Sequence, residues 1–226
     1  MRINTSVQAL FAAGLILGCS HLSASNLVYC SEGSPGGFDP GQYTTGTDFD
    51  AASETVFNRL AQFERGGTLA EPALATSWEV SEDGLNYRFK LRPGVKFHST
   101  DYFTPSREFN ADDVLFTFQR LLDPDNDFRK AYPAESPYFT DMGLNTTIKS
   151  VEKLDDNTVR FNLNNVDAAF VQNLAMSFAS VQSAEYAAQL LKEGKAADLN
   201  QKPVGTGPFV FKRYQKDSQI RYAANT

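Results

Sequence analysis

Residues 76–95, TSWEVSEDGLNYRFKLRPGV, alternate apolar and polar side chains on both sides of a turn. Trp78 and Val80 precede the turn SEDG, and three apolar residues at alternate positions follow it. Because successive side chains of a strand point to opposite faces of a sheet, this spacing predicts a hairpin with one buried face. Any fold that contains the hairpin must cover that face with other elements.

Candidates for those elements follow along the chain. FNADDVLFTFQRLLDP predicts a helix with Asn110 as N-cap and with Asp112 and Asp113 in the first turn, where they complement the helix dipole. IKSVEKLDDNTVRFNL predicts two strands, DAAFVQNLAM a helix, and SAEYAAQLLKEG a helix from the N-cap Ser183 to the C-cap Gly194. The last segment, VGTGPFVFKRYQKDSQIRYAANT, predicts another hairpin.

The segment before residue 64 is less regular. A short strand is predicted over residues 27–30, and a helix is predicted within DFDAASETVFNRLAQF, capped by Asp48 or Asp50. The loop between them, residues 42–47, is polar and built of small residues. It is placed where backbone groups could face a ligand.

Strands and helices mix without strict alternation, which predicts an α/β or α+β fold with a mixed or antiparallel sheet. The length of 226 residues is sufficient for one large domain or two small ones. A formal net charge of −6 argues against nucleic acid or an anionic membrane surface as a partner.

The first 25 residues are typical of a secretory signal peptide, because Arg2 supplies a positive charge and the apolar stretch after it is too short to span a bilayer. Cleavage after Ser25 would release a soluble exported protein. LILGC, which ends at Cys19, also resembles a lipobox, so lipidation of this cysteine is the alternative. Either outcome leaves Cys30 as the single cysteine of the exported chain that is not removed or lipidated.

Few residues are candidates for catalysis. His98 has no second metal ligand at a suitable spacing and is predicted to lie on the surface or on an edge strand. Neighbouring carboxylates on a helix point in different directions, so Asp112 and Asp113 are interpreted as capping residues. GTGPF, residues 205–209, lacks the lysine of a Walker A loop and precedes a strand, so its glycines indicate positive φ or close backbone approach. No catalytic residue, metal site or cofactor is predicted.

Five segments in this order resemble one family: YCSEGSPGGFDP, EPALATSWEVSEDGLNYRFKLRPGVKFH, FNADDVLFTFQR, VEKLDDNTVRFNL and PVGTGPFVFKRY. Together they are similar to the peptide-binding (family 5) extracytoplasmic solute-binding proteins of ABC importers. The best match is the dipeptide-binding branch, with its relatives that bind haem or glutathione. The resemblance covers nearly all of the chain after the signal segment and implies ligand capture without turnover. A periplasmic peptide hydrolase is the alternative from a different class.

The resemblance implies an α/β fold, the first lobe of a type II periplasmic binding protein, with a mixed sheet and an inserted subdomain. Residues 26–55 would begin lobe I, residues 56–163 would form the subdomain and residues 164–226 would continue the lobe. The resemblance also implies that the chain stops in mid-hairpin at Thr226 as an N-terminal fragment. The second lobe, with the aspartate and arginine that hold a dipeptide in relatives, would then be absent.

The family's first-lobe contact region matches Tyr43, Thr44, Thr45 and Gly46, whose hydroxyl and N–H groups would bind peptide backbone or carboxylate. Cys30 matches a cysteine that forms a disulfide with one beyond residue 226 in relatives. The implied partners are a small peptide or haem, an ABC permease in the inner membrane and, for some members, a chemoreceptor. A periplasmic monomer is expected, in which GTGPF is a structural turn that starts a hairpin.

Overall fold

The computed structural model describes residues 26–226, so the predicted signal peptide, with Cys19 and Ser25, lies outside the described residues. All strand pairs among residues 26–226 are antiparallel. Of the two predicted sheet types, mixed and antiparallel, the described residues therefore form the antiparallel one. The strands are β1 (Ala61–Phe63), β2 (Ala70–Pro72), β3 (Ala75–Val80), β4 (Asn86–Leu91), β5 (Ile148–Asp155), β6 (Thr158–Leu163), β7 (Phe209–Gln215) and β8 (Gln219–Ala224).

Most of the helices are short. They are α1 (Gly46–Ala51), α2 (Ala111–Leu122), α3 (Asp127–Ala131), α4 (Pro137–Asp141), α5 (Leu144–Thr147), α6 (Phe170–Leu174) and α7 (Ala184–Lys192), with 3₁₀ turns at Ser177–Ala179 and Ala196–Asn200. Strands β1 and β2 pair with each other, as do β7 and β8, and the remaining four form a sheet in the order β3-β4-β6-β5.

The four-stranded sheet buries one face of β4, as the hairpin pattern predicted, whereas on β3 Trp78 is half-buried and Val80 is exposed, so the prediction was wrong for Val80. Tyr87, Phe89 and Leu91 of β4 are buried, whereas the two residues between them are exposed. Helix α2 packs against this sheet, and Phe118 meets Phe161 of β6 edge to face with ring centroids 4.9 Å apart. The helix therefore supplies the cover that the hairpin required.

Both long helices are capped as predicted. The side chain of Asn110 accepts the Asp112 N–H (2.9 Å), and the Asp113 carboxylate accepts the Asn110 N–H (3.0 Å), which completes a capping box on α2. Ser183 caps α7 through the Tyr186 N–H, and Gly194 follows the helix with φ of 67°. The capping interpretation is confirmed for Asp113, whereas Asp112 lies in the first turn and its carboxylate binds Lys153 (3.0 Å).

Two predictions near the N-terminus were wrong. Residues 27–30 are exposed and form no strand, since none of the sheets in the described part of the chain includes this segment. The helix predicted within residues 48–63 ends at Ala51, its N-cap is Thr45 rather than Asp48 or Asp50, and residues 61–63 form β1.

Backbone contacts with a distant turn explain why the helix does not continue to residue 63 as predicted. The carbonyl groups of Thr55 and Val56 accept hydrogen bonds from Phe209 (3.0 Å) and Gly207 (2.8 Å). A continuing helix would use those two carbonyls within itself. The apolar spacing of residues 56–63 fits a helix as well as a turn followed by a strand, so the pattern alone could not decide.

GTGPF is the turn that makes these contacts. A Cβ atom on Gly205 would lie 2.0 Å from the Val56 carbonyl oxygen, and one on Gly207 would lie 2.6 Å from the Val56 carbonyl carbon. The turn leads directly into β7. Close backbone approach, one of the two predicted reasons for these glycines, is therefore confirmed.

His98 is buried, so its predicted place on the surface or on an edge strand was wrong. The backbone N–H of His98 donates to the Gly205 carbonyl (2.8 Å), and the ring atom Nε2 lies 2.9 Å from the Gly207 carbonyl oxygen. Burial lowers the pKa of His98, which the hydrogen bond to Gly207 opposes in part. The imidazole belongs to the support of the GTGPF turn.

Residues 31–226 form one compact unit. Its larger hydrophobic core draws side chains from the four-stranded sheet, α2, α6 and α7, whereas a smaller core joins Phe38 to Val56, Phe57 and Phe211. Phe38 and Phe211 pack edge to face with centroids 4.8 Å apart. The division of this unit into lobe segments and a subdomain at residues 56 and 163 stays a prediction.

Candidate ligand-binding site

The loop predicted to contact a ligand is exposed at the start of α1. Thr44, Thr45 and Gly46 are exposed and Tyr43 is half-buried. The Thr45 side chain accepts the Asp48 N–H at 3.3 Å, which uses one of the first-turn N–H groups that have no acceptor within the helix. The structure thus places all four predicted residues together on one short segment.

Asp48 holds this loop against the glycine-rich segment that precedes it. One carboxylate oxygen accepts the Gly36 N–H at 2.7 Å, and the other accepts the Thr45 hydroxyl at 2.5 Å. Hydrogen bonds to an ionised carboxylate are stronger than neutral ones. The buried Asp48 side chain therefore fixes the position of Gly36 relative to Thr45.

Asn200 provides a second connection between the same segments. Its side-chain oxygen accepts the N–H groups of Phe38 (2.9 Å) and Asp39 (3.0 Å), and its Nδ2 donates to the Tyr43 hydroxyl (2.8 Å). Burial raises the pKa of the Tyr43 phenol. Asn200 was not among the predicted site residues, because it lies 157 positions after Tyr43.

A buried polar network fixes the other end of this segment. Arg120 of α2 donates to both carboxylate oxygens of Asp39, at 2.9 and 2.6 Å, and the Gln42 and Gln182 side chains donate to them at 2.7 and 2.9 Å. Burial by itself raises the pKa of Asp39, but the Arg120 charge and these hydrogen bonds hold it below its usual value. Gln42 also donates to the Tyr132 hydroxyl.

An open cleft of about 240 Å³ lies beside α1, and Phe49 of that helix forms one of its walls. The other lining residues come from the segment before β1, from β1 itself, from α4 and from the turn after α6: Glu54, Arg59, Phe63, Tyr138, Ala175, Met176, Ser177 and Phe178. The Tyr138 ring lies 5.9 Å from Phe49 and 6.4 Å from Phe178, measured between centroids. Helix α1 thus carries the exposed loop at its start and one cleft wall further along.

The cleft contains a single ion pair. Arg59 donates to the two carboxylate oxygens of Glu54 at 2.9 and 3.4 Å. The Arg59 side chain is 12% exposed and that of Glu54 is 51% exposed, so the arginine forms part of the wall and the glutamate lies at the rim. No motif predicted this cleft, because its lining comes from separate segments of the chain.

The residues weighed for catalysis have separate structural partners. The Asp113 carboxylate binds Arg107 (2.7 and 2.9 Å), Asp112 binds Lys153 (3.0 Å), and His98 binds the GTGPF turn. Within residues 26–226, no three His, Cys, Asp or Glu side chains are grouped to hold a metal ion. These residues therefore do not converge on the cleft or on one another.

The predicted disulfide cysteine, Cys30, is exposed and is a free thiol in the described part of the chain. None of the described helices combines the length and apolarity needed to cross a membrane.

Comparisons with known proteins identify close relatives. Di/tripeptide-binding protein 1 of Pseudomonas aeruginosa (strain UCBPP-PA14) is 71% identical over 230 residues, which cover 100% of this chain and 43% of that protein. Heme-binding protein A of Haemophilus influenzae (strain ATCC 51907 / DSM 11121 / KW20 / Rd) is 52% identical over 203 residues, covering 90% of this chain and 37% of that protein. Both relatives are binding proteins by description, and this chain spans less than half of the length of either.

A solved structure shares the fold. The dipeptide binding protein from Pseudoalteromonas sp. SM9913, in complex with Met-Leu, aligns with a TM-score of 0.85 and 42% identity over 88% of this chain and 39% of that one. The fold described here therefore corresponds to part of a periplasmic binding protein, one lobe of it, as the resemblance implied.

The family comparison agrees with the individual relatives. The model of the bacterial extracellular solute-binding proteins, family 5 (middle), matches residues 70–226, from β2 to the last hairpin. This range is more than half of the chain and includes in full four of the five segments that suggested the family. The resemblance seen in the sequence is confirmed, and the chain belongs to the family 5 bacterial extracellular solute-binding proteins.

Proposed function

We propose that the protein captures di- and tripeptides in the periplasm and delivers them to an ABC permease in the inner membrane. The observation that carries the proposal is that one short helix, α1, joins an exposed loop to an aromatic cleft. A short peptide presents both a polar backbone and side chains, so it can use both surfaces. The relative named for di- and tripeptides and the relative solved with Met-Leu support this ligand class.

The four loop residues divide into two roles. Thr44 and Gly46 contact the peptide backbone or its carboxylate through hydroxyl and N–H groups. Tyr43 and Thr45, whose hydroxyl groups bind Asn200 and Asp48, hold the loop in shape. A loop held in advance loses less entropy when a ligand binds, which favours affinity.

Calorimetric titration of the full-length gene product with Met-Leu tests the proposal. We expect saturable binding with one peptide per protein, and chromatography of the mixture should recover the peptide intact, because no turnover is proposed. If no di- or tripeptide in a broad panel binds, the ligand class is wrong. If the peptide is cleaved, the protein is a hydrolase.

Haem is the second candidate ligand. It is favoured by the 52% identity to a protein named for haem binding. Addition of haem would then produce a shifted Soret band that an excess of Met-Leu does not remove. Peptide binding without that shift would exclude this candidate.

Export is part of the proposal. Removal of residues 1–25 yields a soluble monomer, and the mass of the exported protein separates cleavage after Ser25 from lipidation at Cys19. Cys30 forms a disulfide with a cysteine outside these 226 residues, so the exported protein should react with a thiol reagent only after reduction. Docking on a chemoreceptor is a further role in this proposal, which a chemotaxis assay with the bound peptide would test.

A further inference from the structure

The hairpin of β7 and β8 carries an exposed basic surface. It consists of Lys212, Arg213, Lys216 and Arg221, all of which are exposed. Asp217, in the turn of the hairpin, is the single acidic residue among positions 212–221. Because the whole chain has a formal net charge of −6, the basic surface has the opposite sign to the protein that carries it.

Two charges of the basic surface lie directly opposite each other. Arg213 of β7 pairs in register with Arg221 of β8. Like charges at such positions destabilise a sheet, because the two Cβ atoms are only about 5 Å apart. No carboxylate among residues 26–226 forms an ion pair with any residue of the basic surface. An anion from outside that bound between the two guanidinium groups would relieve their repulsion.

The other face of the hairpin holds the segment that contains the candidate ligand-binding loop. The Tyr214 hydroxyl donates to the Pro35 carbonyl (2.8 Å), and the Tyr222 hydroxyl donates to the Ala51 carbonyl (2.6 Å). These two acceptors precede and follow loop 43–46 in the chain. Because neighbouring residues of a strand point to opposite faces, the two tyrosines face the loop segment and the arginines beside them face away from it.

The chemistry of the basic surface favours an acidic protein over a lipid bilayer as its partner. Guanidinium groups bind carboxylates through two parallel hydrogen bonds, which gives geometric specificity. The large apolar side chains of the hairpin are buried or half-buried, so the hairpin offers none for insertion into a membrane. An anionic bilayer would also repel the remainder of the chain, which is acidic.

We propose that the basic surface docks the protein onto a segment of the ABC permease that bears closely spaced carboxylates. The inference rests on the proposed function and names the surface that meets the permease during peptide delivery. Attraction between complementary charges speeds association and fixes the orientation of the two partners. In this orientation the permease contacts the side of the hairpin that lies behind the ligand-binding loop.

Association of the peptide-loaded, full-length gene product with the permease tests the docking surface. The permease is reconstituted in nanodiscs of uncharged phosphatidylcholine, and association is followed by biolayer interferometry. Arg213→Gln combined with Arg221→Gln should slow association by about tenfold or more at low ionic strength. High salt should reduce the difference, because it screens the attraction. Equal association rates of this double variant and the wild type would overturn the inference.

Two controls show that the effect belongs to the basic surface. The double variant should bind Met-Leu as tightly as the wild type in calorimetry, which shows that its fold and its ligand site are intact. Arg65→Gln combined with Arg88→Gln removes the same charge at two exposed positions outside the hairpin and should leave the association rate nearly unchanged. An equal decrease in both double variants would mean that net charge alone sets the rate, which contradicts a docking surface.

Vesicles of phosphatidylglycerol without the permease test the lipid alternative. The wild-type protein should not sediment with them. Sedimentation with the vesicles that Arg213→Gln and Arg221→Gln abolish would assign the basic surface to lipid headgroups and overturn the proposal.

The docking surface and the proposed function fail in different ways. If the loaded wild-type protein neither binds the permease nor stimulates its ATPase activity, delivery to an ABC permease is wrong and the docking surface is wrong with it. If the wild type docks and the variant of the basic surface docks at the same rate, delivery stands and only this surface is rejected.

Discussion

Asp39 and Arg120 lie 81 positions apart in the sequence and are joined by two hydrogen bonds of 2.9 and 2.6 Å, with both side chains buried. The pair attaches the loop that follows Phe38 to helix α2. Because α2 packs on the central sheet, the position of the candidate ligand-binding loop depends on the core of the protein.

Replacement of Arg120 should therefore lower the stability of the fold considerably. Arg120→Met leaves the buried Asp39 carboxylate without its counter-charge, and we expect the free energy of unfolding to fall by about 3–5 kcal/mol in urea denaturation. Lys130→Met removes the exposed ion pair with Asp125 and should change the free energy of unfolding by only about 0–1 kcal/mol. Equal effects of the two substitutions would contradict the role given to the buried pair.

Stability should decrease on mild acidification because of His98. Its Nε2 donates to the Gly207 carbonyl, and its buried Nδ1 has no hydrogen-bond partner among the described residues, so the neutral ring is favoured. The nearby Lys212 charge also lowers the pKa of His98. The unfolded chain therefore binds this proton more readily, and acidification below about pH 6.5 should destabilise the fold by at most about 1.4 kcal/mol per pH unit.

His98→Gln separates this effect from other titrations. Glutamine can donate to the same carbonyl group but does not titrate, so the variant should lose less stability than the wild type between neutral pH and about pH 5. Asp39, whose pKa is lowered from 3.8, stabilises the fold above that pH and ceases to do so only in stronger acid. Identical pH profiles for both proteins would show that His98 is not responsible.

The glycines of the GTGPF turn should not tolerate a side chain. In Gly205→Ala the new methyl group would lie 2.0 Å from the Val56 carbonyl oxygen, so the two backbone segments must separate. We expect the free energy of unfolding to fall by about 1–3 kcal/mol or more, measured with urea. Gly46→Ala is the matched control, since a methyl group there meets nothing within 4 Å and its φ is not positive, so its stability should not fall.

Asn200→Ala should weaken both the fold and peptide binding. It leaves the Asp39 N–H without its acceptor, whereas the Phe38 N–H keeps its bond to the backbone carbonyl of residue 200 (3.1 Å), and we expect a loss of about 1–3 kcal/mol in the free energy of unfolding. Tyr43→Phe breaks only the contact to the Tyr43 hydroxyl and should reduce peptide affinity with a smaller loss of stability. An unchanged peptide affinity in both variants would refute the positioning role of Asn200.

Local sequence patterns correctly predicted the elements that are stabilised by contacts between residues close together in the sequence. The hairpin of β3 and β4 and the capping box of Asn110 and Asp113 depend on contacts within a few residues or across one turn, so the sequence alone identified them. The true cap of α1 was also readable: Thr45 and Asp48 have the spacing of a capping box, which favours Thr45 over either aspartate.

Contacts between residues far apart in the sequence could not be predicted from local patterns. The cleft is assembled from separate segments, Asn200 reaches Phe38 across 162 positions, and His98 reaches Gly207 across 109. Periodicity records which faces are buried and gives no information on which distant segment covers them. The loop of residues 43–46 was found through the family resemblance, whereas the residues that hold it in place required the structure.

The attachment of the GTGPF turn to the end of α1 affects the timing of folding. Asn58 donates to the carbonyl and hydroxyl groups of Thr206, which lies 148 positions later in the chain. A ribosome that adds about 5–20 residues per second delivers Thr206 roughly 7–30 s after Asn58. During that interval residues 52–63 lack the partner that ends α1 and can extend the helix that their spacing favours. The native path of residues 52–63 therefore cannot be fixed by these contacts until the last hairpin has been synthesised.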